Sequence, residues 1–382
     1  MDDYLLTEEQ RALRKMMRDF VEKEIAPKAA HLDETGEFPW ENFRKLAELG
    51  LTGMKIPEEY GGMGEGMVTA TIVLSEIARG CASTGATLLL HTGGGSDSIT
   101  MFGTEEQKRK YLPALAAGER IAAFAVSEPD AGSDPGSMHT TARLEGDHYV
   151  LNGVKCWTTN GIEAEVYVVG AKTKPDLGSK GISCFIVEKG TPGFTFGKKE
   201  EKMGLKASAT ATEYFDNCRV PKENLLGKPE NGFKQMLMAL NKERLGNCSL
   251  CFGLASIALE KSVDYAKERK AFGATIASFQ GIQWMMAEMA TNLRAAGLLI
   301  HSAAQRVDLG LPHFVEISMA KLFTNEAALK ITSDALQIHG GNGYTKEYPL
   351  ERYMRDVRAF LIGGGTTQIQ RIIIGTNLLG LM

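Results

Sequence analysis

The chain has 382 residues, of which 24% are charged and 43% hydrophobic, and its formal net charge is −4. This is an ordinary globular composition, and the length allows two or three packed units. A slightly acidic chain does not carry the basic surface that a nucleic-acid or anionic-membrane binder needs. The sequence contains no run of roughly 20 apolar residues that would cross a membrane.

The start of the chain, Met-Asp-Asp-Tyr, is acidic and lacks the basic and apolar regions of a signal peptide, so we expect a cytoplasmic protein. Six cysteines in a chain of this length do not indicate a disulfide framework. Cys248 and Cys251 form a CxxC pair without companion Cys or His residues for zinc. We therefore expect reduced cysteines in the core and no metal site.

The first block, residues 1–118, has a helical pattern. Thr7 followed by Gln10 is a capping-box signal, and apolar residues follow at helical spacing until Pro27, which is predicted to end the first helix. Further helices are predicted over 40–49, 68–82, 83–102 and 105–117.

The second block, residues 119–228, changes to short strand patterns. Asn152-Gly153 between two of them predicts a two-residue hairpin turn. The block is predicted to be a small antiparallel β domain. Its predicted strands cover 141–144, 148–151, 154–157, 166–171, 182–188, 194–198 and 212–215.

The third block, residues 229–382, returns to helix. One long helix begins near Gly232, and others are predicted over 280–309, 312–339 and 368–379. Four long helices with short connections indicate an up-down bundle. The predicted fold is therefore α+β, with an N-terminal helical domain, a middle antiparallel β domain and a C-terminal four-helix bundle.

Five polar motifs are distributed along these blocks, and each one alone could be an ordinary turn or helix end. In their order they resemble the acyl-CoA dehydrogenase family, and the resemblance covers essentially the whole chain. The motifs are Ser127–Asp134, Trp157–Asn160, Glu268–Gly273, Gln337–Tyr344 and Gly365–Arg371.

The resemblance implies an FAD enzyme that forms an α,β-double bond in an acyl-CoA, passes electrons to an electron-transfer flavoprotein and assembles as a homotetramer. It implies that the Thr159 hydroxyl reaches flavin N5 and that Arg269 pairs with the FAD diphosphate of a neighbouring subunit. The implied cofactor-binding residues are Phe124, Ala125, Val126, Ser127, Trp157, Thr158, Thr159, Arg269, Phe272, Gln280, Gln337, Gly340, Gly341, Thr366 and Gln368. The implied substrate-binding residues are Ser133, Asn241, Arg244, Thr87, Leu90 and His91.

The sequence departs from the family at the catalytic base. Most members carry a glutamate where this chain has Gly364, and a glycine cannot abstract a proton. A minority of the family, including isovaleryl-CoA and long-chain enzymes, place the base on another helix at a Glu-Arg pair that matches Glu243-Arg244. The resemblance therefore assigns the base to Glu243 and the polarisation of the thioester carbonyl to the Gly364 backbone N–H.

Gly363 and Gly364 also remove bulk beside the acyl group, so a branched, cyclic or aromatic acyl chain is expected. One alternative is an alicyclic acyl-CoA dehydrogenase that uses a pocket-wall base, His91 or Asp97. Others are a non-oxidative CoA-thioester lyase or desulfinase, an enoyl-CoA reductase and a non-catalytic acyl-CoA-binding subunit. The sequence leaves the direction and the acyl group open.

Overall fold

A computed structural model describes residues 3–381. Met1, Asp2 and Met382, at the outer ends of the first and third predicted domains, lie outside the described residues. The predicted order of helices, sheet and helices is confirmed. None of the helices within the described range is long and apolar enough to span a membrane.

The N-terminal helices surround one apolar core. The predicted capping box at Thr7 and Gln10 is confirmed, and α7 has a second one at Thr104. The predicted end of the helical segment at Pro27 is wrong. After α1 the chain continues through a π turn and a 3-10 turn that contains Pro27, and then into α2. Pro27 lies in the first turn of the 3-10 helix, where a proline loses no hydrogen bond. The helices are α1 (Glu8–Phe20), α2 (Ala29–Thr35), α3 (Trp40–Glu48), α4 (Met67–Gly80), α5 (Ala82–Leu90), α6 (Ser96–Phe102) and α7 (Glu105–Ala116).

The middle strands form one sheet in the order β6-β7-β3-β2-β4-β5-β8, with β1 beside β4. Most pairs are antiparallel, as predicted, but β1 and β2 each pair with β4 in parallel. The strands are β1 (Ala122–Ala125), β2 (Thr141–Glu145), β3 (His148–Thr159), β4 (Val166–Lys172), β5 (Ile182–Glu188), β6 (Phe194–Phe196), β7 (Thr210–Pro221) and β8 (Leu225–Leu226).

The hairpin predicted at Asn152-Gly153 is wrong, because β3 runs through both residues. The hairpin turn lies earlier, at Gly146, whose φ is 64°. Gly153 instead permits a close contact: a Cβ there would lie 2.3 Å from Thr140 Oγ1. The Asn-Gly pair therefore marks a register shift in a long strand rather than its end.

In the C-terminal part α8 is the central helix and packs against α4, α9 and α10. The predicted bundle is present, but its fourth member α13 is short. A further helix that the sequence did not predict, α12, also packs against α10. Cys248 and Cys251 are buried in α8, as expected. The elements are α8 (Gly232–Glu268), β9 (Lys270–Ala271), β10 (Ala274–Thr275), α9 (Gln280–Asp308), α10 (Phe314–His339), α11 (Gly341–Tyr344), α12 (Leu350–Phe360) and α13 (Thr367–Leu378).

Candidate active site

Glu243 lies in the interior of the protein, about three turns into α8. Its side chain belongs to a residue that is only 7% exposed, and its Oε2 has no hydrogen-bond partner within residues 3–381. Burial raises the pKa of Glu243 to about 7, although the positive charges of Arg244, Lys55 and Lys321 oppose the shift. A buried carboxyl that is half ionised near neutral pH can both take up and release a proton.

A π turn over His91–Gly95, between α5 and α6, lies between Glu243 and β1. A Cβ at Gly93 would be 3.3 Å from Glu243 Cγ, and one at Gly94 would be 2.6 Å from the ring of Phe124. The glycines therefore let this turn contact both Glu243 and Phe124, the first of the predicted cofactor-binding residues. The sequence predicts His91 and Asp97 as pocket-wall residues but does not reveal the π geometry of this turn.

A glycine turn follows α12 and leads into α13. Gly364 and Gly365 have φ values of 68° and 90°, which L-residues rarely adopt. Arg244 Nε donates to the Gly364 carbonyl oxygen at 2.9 Å, and Lys321 Nζ donates to the Gly365 carbonyl oxygen at 2.9 Å. Thr366 then caps α13, because its Oγ1 accepts the N–H of Ile369. Two buried cations therefore hold the carbonyls of the turn.

Lys321 is fully buried, and burial lowers its pKa to about 8. Its position at the site is not predictable from the sequence, because an isolated lysine inside a helical pattern is indistinguishable from a solvated one until the packing of α10 against α12 is known.

The end of β1 lies beside the end of β3. These two places carry the predicted cofactor-binding residues 124–127 and 157–159. The Cys156 N–H donates to the Ser127 carbonyl oxygen at 2.9 Å. The fully buried Lys155 donates to Val126 O at 3.1 Å and to Glu128 Oε1 at 2.7 Å. Glu128 lies within the Ser127–Asp134 motif and Lys155 lies two residues before the Trp157–Asn160 motif, but the sequence predicted a function for neither residue.

Trp157 stands at a β-bulge, where the register of β3 and β7 shifts. Its φ is 61° and the residue is 65% exposed, an unusual combination for a large aromatic residue. Thr159, half-buried, is the last residue of β3. The Thr158 hydroxyl instead points inward and donates to Glu213 Oε2 at 2.7 Å, so the backbone of Thr158 is the part that remains for a cofactor.

The residues present fit FAD and a thioester. Asn241 Oδ1, Glu243 Oε2 and Arg244 Nη1 are buried on one turn of α8, and none of the three has a partner within the described part of the chain. Unpaired buried polar atoms are costly, and a polar ligand would satisfy them. The exposed Trp157 offers a flat apolar surface of the kind a flavin ring covers.

The other predicted cofactor residues lie far from this cluster. Arg269 follows the last residue of α8, about 39 Å along the helix axis from Glu243. Phe272 is 97% exposed there. The rings of Tyr265 and His339 stack at 4.3 Å and join this end of α8 to the turn after α10. This distant group consists of Arg269, Phe272, Gln280, Gln337, Gly340 and Gly341.

The predicted substrate-binding residues differ in solvent exposure and in hydrogen bonding. Ser133 is exposed, Leu90 is half-buried and Thr87 is buried, whereas Asn241 also donates to Phe314 O at 3.3 Å. Thr366 and Gln368, assigned to the cofactor, lie at the start of α13 beside the glycine turn.

His91 is fully buried, with Nε2 against Leu115 O and Nδ1 accepting the Ala122 N–H, each at 3.1 Å. Burial lowers the pKa of His91 to about 4. Asp97 is paired with Lys55. Neither side chain therefore offers an unengaged base.

Comparison with known proteins gives the same family over all three parts. Family models described as the N-terminal, middle and C-terminal domains of acyl-CoA dehydrogenase match residues 7–119, 123–218 and 230–379. An "Acyl-CoA dehydrogenase" of Bacillus subtilis is 48% identical over 98% of this chain and 99% of the relative. "Acryloyl-CoA reductase (NADH)" of Anaerotignum propionicum is 46% identical over 99% and 96%.

Among solved structures, one chain superimposes with a TM-score of 0.97 at 44% identity, covering 99% of this chain and 100% of the other. That structure is named "Electron transferring flavoprotein of Acidaminococcus fermentans: Towards a mechanism of flavin-based electron bifurcation".

Proposed function

The chain belongs to the acyl-CoA dehydrogenase family, and we propose that it oxidises the Cα–Cβ bond of an acyl-CoA with Glu243 as the base. The family consists of oxidoreductases that act on CH–CH groups, and its members use FAD. One observation carries the proposal. The carboxyl of Glu243 is buried with an unpartnered oxygen, within residues 3–381, on the helical turn that is tied to Gly364.

In the proposed reaction the Glu243 carboxylate takes the proton from Cα. The Gly364 N–H donates to the thioester carbonyl oxygen and stabilises the negative charge that develops there. The ends of β1 and β3 would hold FAD, which would supply the acceptor for the hydride that leaves Cβ. Two C–H bonds break and one C=C bond forms. A pKa of about 7 leaves enough Glu243 ionised at neutral pH to act as a base.

We propose a branched, cyclic or aromatic acyl group, since Gly363 and Gly364 place no side chain beside the base. A Cβ at Gly364 would meet Lys321 Cε at 3.6 Å, an ordinary contact, so a longer side chain would occupy space now available to the acyl chain. In Gly364→Glu we expect bulky acyl-CoAs to be oxidised more slowly and straight-chain ones faster. Gly364→Ala is the matched control, because it introduces the same positive-φ strain with little volume. Equal effects in both variants would refute the volume argument.

We also propose an electron-transfer flavoprotein as acceptor, supported by the name of the structure at TM-score 0.97. A homotetramer is supported by the separation of about 39 Å between Glu243 and the end of α8, since two chains could then complete each cofactor site. A cytoplasmic location stays a prediction.

The test begins with the purified protein and its bound yellow flavin. Anaerobic addition of a panel of acyl-CoAs is expected to bleach the flavin and yield α,β-unsaturated products. Glu243→Gln is expected to bind the same acyl-CoAs but to bleach at least about 100-fold more slowly. Asp264→Asn, an exposed carboxylate on the same helix, serves as the control. Full activity of Glu243→Gln would reject the assignment, and flavin without bleaching would favour a lyase or a non-catalytic subunit.

A second candidate is the reverse reaction, reduction of an enoyl-CoA, which the 46% identical acryloyl-CoA reductase supports. The same geometry serves it, with protonated Glu243 delivering its proton to Cα. A pocket-wall base is disfavoured, because His91 and Asp97 are both engaged with neighbouring groups.

A further inference from the structure

Glu213, on β7, is a fully buried carboxyl beneath the cofactor-binding end of β3, and the proposed reaction does not use it. Its Oε2 accepts the Thr158 hydroxyl at 2.7 Å, and its Oε1 has no partner among the described residues. Thr158 is the residue between Trp157 and Thr159. Glu213 is therefore hydrogen-bonded to the centre of the bulge that carries these two predicted cofactor-binding residues.

No cation within residues 3–381 forms an ion pair with Glu213. Lys155 is its partner in the strand register, but the Lys155 ammonium is directed to Glu128 and Val126. A Cβ at Gly161 would lie 2.7 Å from Glu213 Oε1, so only glycine leaves room for this carboxyl. The other titratable groups near Glu213 are Cys156 and Tyr167, and a negative charge on Glu213 raises the pKa of both.

We propose that Glu213 is a positioning residue that, as a neutral acid, holds the Trp157–Thr159 bulge in its FAD-binding form, and that loss of its proton weakens FAD binding. An uncompensated buried carboxylate is costly, because water no longer solvates the charge. FAD lying on the exposed Trp157 would remove water from the outer side of the bulge, and the lower polarity around Glu213 would make its ionised form costlier. By thermodynamic linkage, FAD and the proton on Glu213 then favour each other.

The environment supports ionisation in an accessible pH range. Burial raises the pKa of Glu213 to about 8, although the Thr158 hydrogen bond and Lys155 oppose the shift. The proton is therefore bound at pH 7 and lost at pH 9. This inference rests on the proposed FAD site but concerns its dependence on pH rather than the reaction.

The test is the FAD dissociation constant of the holoenzyme, measured from flavin fluorescence between pH 6.5 and 9.5. We expect the wild type to bind FAD about tenfold more weakly at pH 9 than at pH 7. Glu213→Gln, an isostere of the neutral acid that can still accept from Thr158, is expected to match the wild type at pH 7 and to stay within about twofold of that value across the range. Glu201→Gln, at an exposed position, is expected to follow the wild type.

A second variant covers the case in which Glu213→Gln does not fold. Thr158→Val removes the hydrogen bond but keeps the carboxyl, and we expect about tenfold weaker FAD binding at pH 7 with the pH dependence retained. Unchanged FAD binding in Thr158→Val, a wild-type pH dependence in Glu213→Gln, or a flat wild-type profile would each overturn the inference. A flat profile in a protein that still bleaches with acyl-CoA leaves the proposed function intact. A protein that retains no FAD at any pH contradicts the cofactor site itself.

Discussion

Arg244 Nε donates a 2.9 Å hydrogen bond to the carbonyl oxygen of Gly364, and this bond joins the helix of the proposed base to the turn of the proposed thioester donor. Glu243 is the residue before Arg244. The Arg244 guanidinium therefore fixes the position of the Gly364 turn relative to the backbone that carries the proposed base. Because Gly364 adopts a φ of 68°, the turn is not fixed by ordinary helix geometry and depends on such bonds.

Arg244→Lys is therefore expected to lower kcat about 10- to 100-fold, because an ammonium cannot reproduce the planar Nε donor and small misplacements of reacting groups are costly. Arg371→Lys is the matched control, since Arg371 pairs with Glu326 in an exposed position on α13. Steady-state kinetics with one acyl-CoA measures kcat in both variants. An unchanged kcat in Arg244→Lys would show that the bond does not position the turn.

The pH dependence distinguishes the two candidate directions. In the proposed mechanism oxidation requires ionised Glu243, so the rate of oxidation is expected to rise with pH through a value of about 7. Reduction of an enoyl-CoA would require the protonated form, so its rate is expected to fall through the same value. Single-turnover rates of flavin bleaching and of enoyl-CoA reduction between pH 5.5 and 8.5 measure this. Identical profiles in Glu243→Asp and the wild type, with no inflection near 7, would contradict the assignment.

The same carboxyl affects stability. Its pKa in the folded protein lies above its ordinary value of 4.5, so the unfolded chain releases this proton first as the pH rises. Stability is therefore expected to decline from about pH 4.5 to about pH 7. Glu243→Gln removes that part of the decline, and chemical denaturation at pH 5 and pH 7 is the measurement. A larger decline in the variant than in the wild type would reverse the sign and refute the argument.

The Lys155–Glu128 pair is expected to be important for stability, because both side chains are buried. Lys155→Met leaves Glu128 as an unpaired buried charge and is expected to cost about 3–5 kcal/mol. Glu128→Gln in the same chain is expected to recover part of that loss, which a double-mutant cycle by denaturant unfolding would reveal. Arg143→Met, in an exposed pair with Glu145, is expected to cost less than about 1 kcal/mol. Equal costs at both pairs would contradict the role of burial.

The π turn is expected to tolerate no added volume. In Gly94→Ala the new methyl group would lie 2.6 Å from the Phe124 ring, and we expect a loss of about 1–3 kcal/mol together with reduced FAD retention. Gly375→Ala is the control, because a Cβ there meets no atom within 4 Å in the described range and the residue lies inside α13. That change is expected to be neutral or stabilising by up to about 1 kcal/mol. Thermal unfolding and flavin content report the two effects.

Local sequence patterns were sufficient for much of the fold. The capping box at Thr7 and Gln10 predicted the start of α1 correctly, since both hydrogen bonds form between residues close in sequence. The predictions from Pro27 and from Asn152-Gly153 were wrong for the same reason. Each of these residue types permits several conformations, and contacts with distant residues selected among them. Gly153 is a glycine because Thr140 packs against it, which its sequence neighbours do not reveal.

The sequence by itself determined the family and the three-part architecture, because these follow from motifs and periodicities that are local in the chain, and the resemblance to the family then implied Glu243 as the candidate base. Only the tertiary structure decided that Glu243 is buried with a raised pKa, that Arg244 and Lys321 hold the glycine turn, and that Glu213 lies beneath the Trp157 bulge. These properties depend on desolvation and on hydrogen bonds between residues that are far apart in sequence. Their physical origin is long-range packing, which a one-dimensional pattern does not contain.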